Sequence, residues 1–124
     1  MKKFKLSLLT LGFVFVFCSV SWAAIVKGDG RKEVATAGTA EALSATSLDV
    51  TIVTICGETN NTGTVVIGAS TVVAAVATRR GIPLDASDCY TYQLESKRTM
   101  NLNQIYVDTT VSTDGVTYDW VRQV

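Results

Sequence analysis

Three cysteines, eleven carboxylates and no histidine are what this chain offers for chemistry. The missing histidine removes the usual general base, the Ser-His and Cys-His nucleophile pairs and the commonest metal ligand together. A cupin-type metal site is not expected. The expectation is a non-enzyme with no cofactor and no catalytic, cofactor-binding or metal-binding residues. Gly57, Gly63 and Gly68 stand singly at turn positions and make no phosphate loop. Asp85 with Asp88, and Asp108 with Asp114, are the carboxylate pairs near enough in sequence to touch a calcium ion. Neither has the dense oxygen-ligand spacing of a calcium loop, and turn or N-cap duty accounts for both. Carboxylates for glycoside hydrolysis would be paired in space and leave no spacing to read, and a small domain leaves little material for a substrate cleft. Arg79-Arg80 reads as a solvated turn before a protease site or an anion contact. Asn60-Asn61-Thr62 fits the glycosylation sequon, a chance match if the chain is bacterial.

Cysteine chemistry depends on compartment, and the N-terminus speaks to that. Lys2, Lys3 and Lys5 precede an uncharged apolar stretch over residues 6–20, and Ser21-Trp22-Ala23 sets small residues at the −3 and −1 positions of a cleavage site. This predicts a bacterial-type secretory signal peptide over residues 1–23, and a secreted or periplasmic protein after cleavage. The competing reading is a retained membrane anchor, for which the apolar segment is short. Phe17 is too bulky for the small residue that precedes a lipoprotein cysteine at Cys18. Residues 24–124 then carry eight basic and eleven acidic side chains, a net of −3. No clustered basic face calls for nucleic acid, and the membrane enters only through the signal segment during export.

Two cysteines remain after that cleavage, Cys56 and Cys89, 33 residues apart. In an oxidising compartment an even pair can close, and loop-closure arithmetic puts such a bridge at about 3–4 kcal/mol. Two buried free thiols acting as small hydrophobes are the alternative. The alternation leaves both open: Cys89 runs with Thr91 and Gln93, opposite Tyr90, Tyr92 and Leu94, and so faces away from the main apolar layer.

The elements that would position these residues are strands. Residues 48–68 read as strand, turn, strand. Val50, Ile52, Val53 and Ile55 form a β-branched run. Asn60, Asn61 and Gly63 supply a reversal, and Val65, Val66 and Ile67 resume the run. This predicts a hairpin at the centre of a small β-sheet core. Residues 24–38, with Gly28-Asp29-Gly30 and a charged cluster, predict a flexible arm leading to a short strand near Val34. Residues 39–47 predict an extended or loop segment with Leu43 inward. Residues 72–78 are ambiguous between a strand and a short helix, with an irregular strand the expectation, and 82–85 predict a turn in which Ile82 and Leu84 plug the core edge. Residues 89–95 alternate cleanly as a half-buried strand. Ile105, Val107 and Val111 fall on one side of the next, Tyr106 and Asp108 on the other. Asp114-Gly115 signals a turn, and Val116, Tyr118 and Trp120 line the closing strand. The fold class expected is all-β: a small antiparallel β-sandwich or jelly roll of about six to eight strands, preceded by an N-terminal hydrophobic signal helix. Its divisions are 1–23, the arm 24–38 and the sandwich 39–124.

All four tyrosines, Tyr90, Tyr92, Tyr106 and Tyr118, fall on expected strands. Tyr106, opposite the apolar face, is the candidate contact, since exposed aromatics on strands bind sugars or partner subunits. Cross-strand packing is the plainer use of such residues.

The order of several pieces resembles a small β-sandwich domain of bacteriophage virion structural proteins. The pieces are Val50-Thr51-Ile52, then Asn61-Thr62-Gly63-Thr64-Val65-Val66-Ile67-Gly68, Gly81-Ile82-Pro83-Leu84, the run from Asn101-Leu102-Asn103 through Gln104-Ile105-Tyr106-Val107-Asp108, and Gly115-Val116-Thr117-Tyr118. The chain differs from that family in opening on an export signal. The resemblance implies a non-enzymatic protein that packs against neighbours, itself or a larger protein assembly. The alternative is a carbohydrate- or small-ligand-binding module using exposed aromatics.

Overall fold

β-branched and aromatic side chains recur at alternate positions through much of residues 24–124, which suits a pleated, half-buried surface. The computed structural model describes residues 24–95 and 97–124, together with Ser19. The signal helix expected over residues 1–23 lies outside these. The described residues form ten strands and no α-helix: β1 (Ile25–Glu33), β2 (Glu41–Ala42), β3 (Asp49–Val50), β4 (Ile52–Gly57), β5 (Val65–Gly68), β6 (Ile82–Leu84), β7 (Cys89–Gln93), β8 (Met100–Asn101), β9 (Tyr106–Thr109) and β10 (Gly115–Gln123). Short 3-10 turns lie at Val76–Thr78 and Leu102–Gln104.

The pairing is antiparallel and nested. β1 pairs with β10, β2 with β9, β3 with β8, β4 with β7 and β5 with β6. The chain is one long ladder whose tip is the β5–β6 connection, residues 69–81. The ladder is rolled so that β10 also meets β4, and β9 meets β5. Two four-stranded sheets result, ordered β1-β10-β4-β7 and β2-β9-β5-β6, with β3 and β8 as a separate short pair.

Both sheets contribute to one apolar cluster. β4 supplies Val53 and Ile55, β10 Val116, β5 Val65 and Ile67, β9 Val107, and β6 Leu84. Val34, Leu43, Val50, Leu102 and Ile105 join them from the connections and short strands. Burying a side chain of this size contributes about 1.5–3 kcal/mol over leaving it in water. A smaller cluster lies on the other face of the second sheet, where Val66 meets Val72 and Ala74 of the ladder tip.

Residues 48–68 do not form the expected hairpin. β4 lies in the first sheet and β5 in the second, so residues 58–64 cross between sheets. β9 and β10 also lie in different sheets, so the Asp114-Gly115 region is a second crossing. Polar side chains hold the two crossings together. The Asn61 amide meets Gly115 as a peptide unit would: Nδ2 donates to the Gly115 carbonyl at 2.8 Å, and the Gly115 N–H donates to Oδ1 at 2.9 Å. Asp114 accepts from the N–H groups of Thr62 and Gly63, the latter at 2.7 Å. The residues that looked like hairpin-turn formers thus satisfy the backbone of a neighbouring connection.

The arm expected over residues 24–38 is also corrected. Nine of its residues form β1, in register with β10 throughout. The ring of Trp120 lies against the bare backbone of Gly28 and that of Tyr118 against Gly30, where any Cβ would overlap the ring. Glycines that suggest a linker are here the places where aromatics cover a strand. Residues 82–84 are an edge strand and not a turn, a position that tolerates Pro83; Ile82 and Leu84 pack on the core as expected. In residues 72–78 only Val73 makes a β-bridge, to Arg80, before the 3-10 turn. Val111 is exposed, because β9 ends at Thr109.

Candidate functional site

The ladder fixes which backbone groups of β1 face outward. Val124 N–H donates to the Ala24 carbonyl at 2.9 Å, and Val34 N–H to the Asp114 carbonyl at 3.0 Å. In an antiparallel pair bonded and non-bonded positions alternate, so Val26, Gly28, Gly30 and Lys32 bond to β10. The N–H and C=O groups of Ile25, Lys27, Asp29, Arg31 and Glu33 point the other way. β1 is the edge of its sheet, and no described strand pairs with that side. The side chains of these same five residues are exposed on the outer face.

Arg31 is the best-held cation of that face. Its Nε and Nη2 engage the two carboxylate oxygens of Glu58, the second at 3.0 Å, and Nη2 also reaches Glu33 at 3.3 Å. Hydrogen bonds and charge from Glu58 hold the guanidinium proton still more firmly than usual. Glu58 is buried while Arg31 is mostly exposed, so the pair fixes the position of a guanidinium at the surface. Sequence reading missed it, since residues 27 positions apart with no shared pattern carry no signal.

Two shallow depressions flank Arg31. One, of about 590 Å³, runs over Asp29, Thr54, Cys56, Thr117 and Asp119. The other, of about 530 Å³, runs over Glu58, Thr59, Asn60 and Ser87. Cys56 lines both, and its disulfide to Cys89 joins directly opposed residues of β4 and β7 with Cα atoms 4.0 Å apart. Cys89 faces outward, as its alternation requires. Beside it the hydroxyls of Thr54 and Thr91 bond across the same strands at 2.9 Å. The bridge is consistent with a non-reducing, extracytoplasmic environment.

The buried carboxylates serve the fold. Asp108 and Asp114 accept backbone N–H groups of separate connections. Asp85 and Asp88 share a turn, in which Asp85 N–H donates to Asp88 Oδ2 at 3.2 Å. Lys32 and Glu41 meet at 3.1 Å and tie β1 of one sheet to β2 of the other. Among the described residues no cluster of three or more His, Cys, Asp or Glu side chains is placed to hold a metal ion.

Tyr106 does lie on the face opposite Val107. That face is covered by the ladder tip, so Tyr106 is half-buried against Val66, Val72 and Ala74. It is remote in the fold from the disulfide, which sits on the other sheet. The more exposed aromatic is Tyr90 on β7, which meets the part-buried Tyr92 edge to face with ring centroids 4.9 Å apart. No protein-family model and no curated protein matches the chain.

Proposed function

We propose that this chain is a non-enzymatic structural protein, exported or phage-derived, that assembles with copies of itself or with a larger protein surface. The two nested sheets fit a β-sandwich of jelly-roll connectivity, a plan used by viral capsid domains and lectins among others. Fold alone does not assign a role. The observation that carries the reading is the long outer edge of β1. Natural sheets shorten, cover, bend or charge such edges; β1 is charged but is long and has no described strand on its outer side, so a partner of complementary charge can add a strand there. The resemblance to virion packing domains points the same way. On this reading residues 1–23 are removed on export, the mature protein is secreted or periplasmic, and neither a cofactor nor nucleic acid is needed.

Amine-reactive cross-linking of intact cells or particles, read by mass spectrometry, tests it. Inter-protein cross-links from Lys27 or Lys32 are expected. Their absence, with a monomeric protein that turns over a substrate, rejects the proposal. Tyr90 favours a second reading, a sugar-binding module, since an exposed ring braced edge to face by Tyr92 offers surface to a pyranose. Saturable binding to a glycan array, lost in Tyr90→Ala, would establish that instead.

A further inference from the structure

We infer that β1 pairs with β1 of a second copy of this chain, antiparallel about a two-fold axis at Gly30, which joins two four-stranded sheets into one. The inference rests on the assembly reading above and names its partner and register.

The charges of the outer edge select that partner. Along β1 the charged outward-facing positions are Lys27, Asp29, Arg31 and Glu33, two cations and two anions in alternating order, with Ile25 beyond them. With Gly30 opposite Gly30, each Lys27 faces Glu33 and each Asp29 faces Arg31 of the other copy. All four cross-strand pairs are then of opposite charge, and all lie on the outer face. The hydrogen bonds agree, because these same residues carry the outward-pointing N–H and C=O groups, so facing them in pairs closes an antiparallel ladder. Adjacent registers fail. A two-fold axis at Asp29 sets Asp29 on Asp29 and Lys27 on Arg31; one at Arg31 sets Arg31 on Arg31 and Asp29 on Glu33. Like charges directly opposed are destabilising; registers centred on Gly28 or Lys32 avoid them on the outer face but keep only two opposite-charge pairs each, so the Gly30 register is the one that pairs all four charges. On the inner face Gly28 and Gly30 place no side chain at the axis, and Trp120 and Tyr118 already cover them. Arg31 keeps Glu58 through Nε and Nη2 and has Nη1 left for the second copy's Asp29, while Glu33, held by Nη2 at 3.3 Å through one carboxylate oxygen, has the other for the second copy's Lys27.

The test is a charge swap on the protein as the cell produces it, read by sedimentation across a dilution series. The parent is expected to dimerise. Lys27→Glu sets Glu against Glu33, and Glu33→Lys sets Lys against Lys27. Each should weaken association by roughly tenfold or more, given two altered pairs per dimer. The double variant restores opposite charges and should return to within about threefold of the parent. Circular dichroism confirms that each variant is folded, and hydrogen exchange should show protection of the Lys27, Asp29, Arg31 and Glu33 amides on dimerisation. A monomeric parent overturns the inference, as does a double variant no better than its singles. A dimer indifferent to all three variants, with cross-links persisting in cells, overturns this edge and leaves the assembly reading standing.

Discussion

Asp108 ties three parts of the chain to one carboxylate. Its Oδ1 accepts from Gly38 N–H at 2.9 Å and Thr109 N–H at 2.8 Å, and its Oδ2 from Ala74 N–H at 2.8 Å. Gly38 belongs to the β1–β2 connection and Ala74 to the ladder tip. A stranded buried donor costs about 1–3 kcal/mol, so Asp108→Ala should lower stability by about 3 kcal/mol, seen as a fall in the urea midpoint. An unchanged midpoint would show that water replaces the carboxylate. Two further side chains make stability depend on pH. Burial pushes the Glu41 carboxyl up, but the Ala35 N–H and Lys32 outweigh it, and its pKa lies below the ordinary 4.5. A depressed carboxylate stabilises the fold above its ordinary value, and that contribution disappears as pH falls through the folded value. Burial first, and the neighbouring Tyr90 second, raise the Tyr92 phenol above 10.0. A raised group contributes fully below its ordinary value and loses that contribution as pH climbs through the folded one. Stability should therefore decline below about pH 4.5 and above about pH 10. Glu41→Gln should flatten the acid limb in denaturant titrations, and an acid limb as steep as the parent's clears Glu41 of the effect.

At the scale of elements, β1 depends on rings supplied by β10. Gly28→Val forces a branched side chain into the Trp120 indole. Overpacking of this kind costs about 1–3 kcal/mol, and Trp120 emission should shift to the red as the ring is pushed into water; emission that does not move would place the indole elsewhere. The disulfide acts between β4 and β7, which already pair. Closing 33 residues contributes about 3–4 kcal/mol in the chain-entropy account. Reduction, or replacement of both cysteines by serine, should lower the melting temperature by on the order of 10–20 °C; a shift of only a degree or two would show that pairing alone suffices. These two elements also mark what a sequence reader can and cannot see. The alternation of Cys89, Tyr90, Thr91 and Tyr92 is local, so β7 and the outward direction of Cys89 were legible. That Cys56 stands directly across from Cys89 was not, because register between distant strands leaves no trace in spacing. β1 was unreadable for a different reason: glycine is a poor strand former, and what makes it suitable at positions 28 and 30 is an aromatic some ninety residues away. Asn60, Asn61 and Gly63 announce a change of direction and nothing about its destination. The edge of β1 that no described strand covers, and the Arg31–Glu58 pair beside it, were hidden behind the same misreading of the arm. The face occupied by Tyr106 was legible, but not the tip that covers it.

At the scale of the whole molecule, nested pairing places partners far apart in sequence everywhere except at β5 and β6. Non-local pairing must overcome loop-closure entropy before contacts repay it, which slows folding to the millisecond-to-second range typical of such β-proteins. Stopped-flow refolding of the disulfide-reduced protein should fall there, and microsecond refolding would argue against the ladder. The same nesting sets both ends of the ladder side by side, with Val124 N–H on the Ala24 carbonyl. This gives the domain a direction in which it is mechanically weak. A pull applied between residues 24 and 124 parts β1 from β10 like a zipper, one rung after another, and each rung bears the whole load in turn. A pull on residue 24 against the body of the sheets drags β1 along its own axis. All nine positions of the β1–β10 register then resist at once, so a domain tethered by its N-terminal end alone would carry far more tension than one stretched from end to end.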